Sequence, residues 1–284
     1  MNIKVIADST CDLPQELLQK YDISITPLYI IKDGKDFRDG ITITPKEIFD
    51  HVAAGGDLCT TSAVSVGEYQ DIFARYASSY DAVIQVNIGS GFSACYQNAC
   101  LAAADFDNVL VVDSQNLCMG QGCVVLEICR LAQVCSTLEE IQEKIQDFIP
   151  RVEISFVLEH LAYMVKGGRC SSATALGANL LNLKPCLEVK DGKLTVVKKY
   201  RGSFAKCIAA YCKDRLEGRE DVERSTGWLL YTQVGDEIVE QARKDMAAFV
   251  QPGPFCENVA GCTISCHCGP GTLACCFMGK ERKI

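Results

Sequence analysis

Four polar loops carry the residue types that chemistry needs, and each follows an apolar run that reads as a strand. In open α/β sheets, ligands gather beyond the carboxyl ends of the strands. The first loop is Asp8-Ser9-Thr10-Cys11-Asp12. Asp8 can contact a ligand or a metal there, while Ser9, Thr10 or Asp12 can equally cap a helix. The second, Thr60-Thr61-Ser62, sets three hydroxyls in a row, able to donate hydrogen bonds to an anion. The third is Gly89-Ser90-Gly91-Phe92-Ser93-Ala94, which matches G-x-G-x-x-A, with Asp113 ending the next apolar run 24 residues after Gly89. That spacing suits a pyrophosphate on the loop and a ribose on the acid. A helix N-terminus also favours any anion, and Ser93 can offer its hydroxyl to a carboxylate. A tight turn with a cap satisfies the same residues. The fourth is His267-Cys268-Gly269-Pro270-Gly271-Thr272. Its glycines let backbone approach a ligand closely, and His267 can donate a hydrogen bond or serve structure alone.

The cysteines offer a second chemistry. There are 18 in 284 residues, with a cluster at Cys262, Cys266, His267, Cys268, Cys275 and Cys276. Zinc sites want paired ligands at spacings such as C-x2-C, which Cys266-His267-Cys268 does not provide. Most of the others sit in apolar runs, where a thiol behaves as a small hydrophobe. No metal and no cofactor is expected. The opening residues reach a charge at Lys4 and Asp8 too soon for a signal peptide and read as a strand. Reduced thiols and a cytoplasmic location follow as expectations.

These loops need elements to hold them. Lys4 to Ala7, Ile23 to Ile31, Ala82 to Ile88 and Asn108 to Asp113 read as extended runs. Helices are expected after Asp12 and Pro14, after Thr44-Pro45, at Val66 to Ala77, at Phe92 to Ala104 and at Leu138 to Ile149. Ser65 with Glu68, and Thr137 with Glu140, fit capping boxes. Asp33-Gly34 and Asp191-Gly192 are hairpin turns, the second joining Cys186 to Lys190 with Lys193 to Lys199. Repeated β-α-β units up to about residue 150 argue for a parallel sheet. Beyond it, Val152 to Leu158, Gly227 to Gln233 and Asn258 to Ser265 read as strands, with a helix at Asp236 to Val250. Two domains are expected, 1–155 and 156–284.

A net charge of −8 argues against a protein that grips nucleic acid over a wide surface. No apolar run approaches the roughly 18–20 residues of a membrane-spanning helix. One segment runs against the acidic balance. From Lys184 to Lys206 there are seven Lys or Arg against two acids. That is either a solvated hairpin face or a docking face for an acidic or phosphate-bearing partner.

Read in order, these motifs resemble the DegV family over nearly the whole chain. The resemblance rests on Ile6 to Leu13, Thr61 to Ser65, Gly89 to Gln97, Asp113-Ser114 with Gly120-Gln121-Gly122, Lys166-Gly167-Gly168-Arg169, Lys184-Pro185, and His267 with Gly269-Pro270-Gly271. It implies an α/β, two-domain DegV-like fold: an N-terminal parallel-sheet α/β domain, a C-terminal α+β domain with a mixed sheet, and the ligand between them. It implies a long-chain fatty acid as ligand, and a carrier that does no chemistry but presents the carboxylate to a separate fatty acid kinase. By motif, Thr61, Ser62, Ser93 and His267 fall where the family holds the carboxylate. Gly91, Gly269 and Gly271 would bring backbone near the ligand. Arg169 and Arg201 match basic positions of the head-group region or of partner docking. The chain departs from the family pattern at Ala63-Val64, Gly89 and Ala94-Cys95, which lowers the hydroxyl count near the head group.

The physics of such a ligand has two parts. A sixteen-carbon tail gains on the order of 10 kcal/mol on leaving water, before binding costs. Leu176 to Leu183 and Val124 to Leu131 are candidate walls, or ordinary core. The carboxylate must find donors, because an unpartnered buried charge is prohibitive. An oxidoreductase holding NAD at Gly89 to Ala94 is the enzyme alternative, and no catalytic acid–base pair accompanies that loop.

Overall fold

In a computed structural model, the structure describes residues 1–176, 183–251 and 255–280. The strands, in chain order, are β1 (Ile3–Asp8), β2 (Ser24–Thr26), β3 (Tyr29–Lys32), β4 (Lys35–Arg38), β5 (Thr60–Ser62), β6 (Ala82–Asn87), β7 (Val109–Asp113), β8 (Val152–Leu158), β9 (Leu183–Lys190), β10 (Lys193–Arg201), β11 (Trp228–Tyr231), β12 (Cys256–Val259) and β13 (Thr272–Met278). They form three sheets. The first, in order β2-β1-β6-β7, is parallel throughout. The second, β10-β9-β8-β13-β11-β12, is antiparallel except for β11 beside β12. The third, β4-β3-β5, is a small antiparallel sheet that carries Thr61. The expected 155/156 boundary falls within β8.

The first sheet is buried on both faces, as helical crossovers require, so β6 reads as an unbroken buried run. The expected run Ile23 to Ile31 is split at Pro27, which has no N–H for a ladder. Its first half joins β1 and its second half starts the small sheet. Ser65 and Glu68 make the expected capping box at the Val66–Ala77 helix. Thr137 accepts from Glu140 N, but the Glu140 carboxylate takes Ser136 N rather than completing the box. The helix after Gly89 begins at Cys95, not Phe92, so Ser93 stands before its first turn.

One continuous apolar core spans the two larger sheets. Val5, Ala7 and Ile84 of the first sheet, Ile154 and Phe156 of β8, and Val124 and Ile128 of the Cys118–Val134 helix all belong to it. That helix packs against β1, β6 and β8. Of the two readings of Val124 to Leu131, cavity wall or core, the structure shows core. Of the other candidate wall, Leu176 to Leu183, residues 177–182 lie outside the described residues.

The largest departure from expectation is at the C-terminus. Asn258 to Ser265 is not one strand: β12 ends at Val259, and Cys262–Cys268 is a helix. A short apolar run fits either form by periodicity, and capping decides it here. Asp39 accepts from Cys262 N at 2.9 Å, from Thr263 N at 3.1 Å and from the Thr263 hydroxyl at 2.7 Å. Asp12 accepts from Gly261 N at 2.9 Å. Both carboxylates come from the N-terminal part of the chain and are buried. Asp39→Ala strands these donors and is expected to cost about 2–4 kcal/mol in urea unfolding. Asp12 titrates far from its usual range. Burial, opposed by the Cys118 thiol and reinforced by the charge of Asp39, raises it to about 8. A carboxyl raised in the folded state stabilises fully below its unfolded value of 3.8, and that stability is lost as pH rises through about 8. Asp12→Asn should flatten the fall in stability across that window; an unchanged slope in unfolding against pH would refute the assignment.

Candidate functional site

A cavity of about 290 Å³ opens where the three sheets meet. This is at the low end of the roughly 300–1,000 Å³ usual for small-molecule sites. Its apolar wall includes Leu28, Ile88, Phe92, Phe156, Met164 and Leu194. A separate void of about 20 Å³ shares Leu117, Phe156 and Ile264 with its lining and is bounded also by Leu230 and Ala274. Sequence reasoning missed this lining, because a cavity-facing Leu and a core Leu carry the same signal. Phe92 and Leu194 had pointers, the one inside the Gly89 to Ala94 loop and the other just past the Asp191-Gly192 turn.

The polar end gathers Thr61, Ser62, Ser93, Arg169 and His267 around the same cavity. Thr61 reaches it from β5, paired to Ile30. Ser93 reaches it from the loop after β6, where its hydroxyl contacts the Cys95 amide and thiol at 3.3 and 3.2 Å. His267 comes from the last turn of the Cys262–Cys268 helix. Thr61 Oγ1 and His267 Nε2 are 2.8 Å apart, although 206 residues separate them in the chain. Ser62, Ala94 and Arg169 are exposed at the rim.

His267 is neutral at pH 7. Burial first, then the positive charge of Arg169, holds its pKa at about 4. Its Nδ1 is buried without a hydrogen-bond partner. Arg169 spans the mouth by donating Nη1 to the Gly167 carbonyl at 2.7 Å and Nε to the Phe92 carbonyl at 3.3 Å. Among the described residues no carboxylate pairs with it. A neutral imidazole, two hydroxyls and an uncompensated guanidinium form a set that favours an anion at the mouth.

Other expected residues take different places. Gly91, Gly269 and Gly271 do not line the cavity. A side chain at Gly91 would meet the Gly192 carbonyl at 2.3 Å, so this glycine lets the 191–192 turn close on the loop. Gly269 caps the helix at φ +74 against the Tyr163 ring, and Gly271 packs on Glu159. Arg201 is exposed and ends β10, seven residues beyond Leu194, about 20 Å along the strand. It does not reach the cavity. Asp8 neither faces the cavity nor stands free. It accepts from Ile88 N at 2.7 Å and from Gln121 Nε2 at 2.8 Å, and also from the Thr10 hydroxyl. Asp113, the ribose candidate, accepts from Ser90 N at 3.0 Å and Gln115 N at 2.9 Å. It fixes the loop instead. Gly167 does a task no motif announced: a side chain there would strike His267 Nδ1 at 2.3 Å.

Comparison with known proteins points one way. The family model described as "Uncharacterised protein, DegV family" matches residues 2–280. A DegV domain-containing protein of Clostridium acetobutylicum is 34% identical over 277 residues, 96% of each chain. A solved DegV family protein from Thermus thermophilus, described by its fatty acid binding, is 30% identical and superposes with a TM-score of 0.85 over 98% of this chain and 100% of its own. DegV from Bacillus subtilis, described as a fatty acid binding protein, gives 0.85 at 27% identity, over 99% of this chain and 100% of its own.

The protonation of His267 can be read directly. In a ¹⁵N-edited NMR titration, the His267 ring should keep a neutral signature down to about pH 5 and protonate near pH 4. A neutral histidine held below its usual 6.5 stabilises the fold above that value, and the contribution is lost as pH falls through about 4. Protonation of His267 near 6.5 would contradict the buried geometry.

Proposed function

The chain belongs to the DegV family, and from that premise we propose that it binds one long-chain fatty acid, tail in the cavity and carboxylate at Thr61, Ser93 and His267. The single observation that carries this is the division of the cavity into a polar mouth and an apolar interior. A fatty acid has the same division. Its tail supplies the driving force at about 0.8 kcal/mol for each buried CH₂. Its head must be matched by donors, or the desolvated charge cancels that gain.

The Thr61–His267 pair suits that task. With Nε2–H donating to Thr61 Oγ1, the threonine proton is free to point at a carboxylate oxygen, and the imidazole strengthens that donor. Ser93 offers a second hydroxyl, and Ser62 lies at the rim. Arg169 supplies positive charge beside the head without being buried. Because Ser62, Ala94 and Arg169 are exposed, the carboxylate end is the accessible end of the ligand.

That accessibility supports the further part of the reading. We place the protein in the cytoplasm as a carrier that presents the carboxylate to a separate fatty acid kinase. On this view the carrier does no chemistry itself. Exposed Lys193, Lys199 and Arg201 on β10, an edge strand of the second sheet, would meet the partner. Among the described residues none of these three has an ion-pair partner.

The purified protein, denatured and extracted with organic solvent, should yield about one equivalent of a C14–C18 fatty acid by mass spectrometry. A blank extract from protein that also fails to take up added fatty acid would overturn the reading. Within it, Thr61→Val and Ser93→Ala should each weaken fatty acid binding about 10–100-fold, the value of one hydrogen bond to a charged group. Unchanged affinity in either variant would remove that residue from the head-group site.

A further inference from the structure

Gly167 ends the Ala162–Gly167 helix, and its backbone gives no reason for a glycine. The left-handed residue that caps this helix is Gly168, at φ +68. What the position excludes is a side chain. A Cβ there would stand 2.3 Å from His267 Nδ1, and 3.2 and 3.4 Å from Cε1 and Cγ, the ring carbons that flank it. Both carbons are clearly farther than Nδ1 and at nearly equal distances, which places that point outward from Nδ1 in the ring plane. A point above the ring would lie much nearer both carbons. An α-hydrogen of Gly167 therefore fills the direction in which Nδ1 carries its proton or its lone pair. A proton on Nδ1 would press against that hydrogen and would find no acceptor, because Nδ1 is buried without a hydrogen-bond partner. A neutral imidazole carries one proton, and burial with the charge of Arg169 keeps His267 neutral at pH 7. Nε2, by contrast, has an acceptor in Thr61 Oγ1 at 2.8 Å. Gly167 also holds the charge nearby, since its carbonyl accepts from Arg169 Nη1 at 2.7 Å.

We propose that Gly167 is a positioning residue that fixes the Nε2–H form of His267 and, through Thr61, makes the cavity mouth selective for a head group that only accepts hydrogen bonds. With Nε2–H donating, the Thr61 oxygen is occupied on one side and its own proton is directed elsewhere. Toward the ligand, the pair offers a donor. The opposite form, with the proton on Nδ1, would draw the Thr61 proton to Nε2 and turn an acceptor toward the ligand.

The consequence is a choice between two head groups of one shape. A carboxylate has two accepting oxygens and no proton to give. A primary amide replaces one oxygen by an NH₂ donor, which would meet the Thr61 or Ser93 hydroxyl proton to proton. Both hydroxyls line the cavity beside His267. The selectivity rests on the fatty acid reading; the protonation of His267 does not.

The test combines ¹⁵N NMR of histidine-labelled full-length protein with binding of oleate and oleamide. In the wild type at pH 7, His267 should show a protonated Nε2 and a bare Nδ1. Wild-type protein should bind oleate about 10–100-fold more tightly than oleamide, the range of one hydrogen bond to a charged group. In Gly167→Ala the new methyl group displaces the ring, so oleate affinity should fall about tenfold while oleamide changes less than about threefold. A general loosening of the cavity would weaken both alike. A protonated Nδ1 in the wild type overturns the proposal, and that measurement needs no variant to fold. Equal losses for the two ligands, or unchanged oleate affinity, in folded Gly167→Ala overturn the positioning role. Similar wild-type affinities for oleate and oleamide overturn the selectivity. If neither ligand binds the wild type, the fatty acid reading fails, while the ring-nitrogen signals of wild type and Gly167→Ala still decide whether Gly167 sets the proton on His267.

Discussion

The buried carboxyl groups of Asp12 and Asp39 hold the beginning of the chain to its end. Together they receive the first amides of the Cys262–Cys268 helix, and Ser9 donates to Asp39 at 2.9 Å. A helix of seven residues is too short to persist alone. Its free N–H groups and dipole make a fitting partner for two acids that would otherwise be costly to bury. The place of His267 at the cavity mouth follows from this. The helix, once started there, ends at Gly269 and delivers His267 to Thr61. A shift by one residue at its start would rotate the imidazole about 100° away.

The electrostatic logic of the mouth is one of restraint. A charged histidine there would bind an anion more strongly but would cost more to bury in the ligand-free protein. The structure keeps the imidazole neutral and places the formal charge on Arg169 at the rim, anchored to the Phe92 and Gly167 carbonyls. Dipoles sit inside and charge sits outside. Such a site can hold a carboxylate without trapping it.

Much of the fold was legible because its signals are local. Period-2 and period-3.6 patterns, the Ser65–Glu68 box and the Asp191-Gly192 turn placed most strands and helices. Thr61, Ser62, Ser93 and His267, expected together from loop position and family resemblance, line one cavity. What failed was non-local. Cys262 to Ser265 looked extended, because the carboxylates that make it a helix lie more than 220 residues earlier. Arg201 could be read as a head-group or a partner-docking residue, and only its place at the end of β10, outside the cavity lining, separates the two, because charge shows in sequence and distance along a strand does not. Val124 to Leu131 stayed open between cavity wall and core, because apolar helices look alike whether they face a void or a core, and it is core.

The glycines give a more particular lesson. Gly91, Gly269 and Gly271 invite a ligand-contact reading, since glycine lets backbone approach a guest. Here each lets one part of the protein approach another: Gly91 the 191–192 turn, Gly269 the Tyr163 ring, Gly271 the Glu159 side chain. Gly167 does the same for His267. None of the four lines the cavity, and each lies at a contact between elements. A Cβ at any of them would act first on the spacing between elements, and through that on the hydroxyls and imidazole. The motif glycines are therefore part of how neighbouring elements are held together.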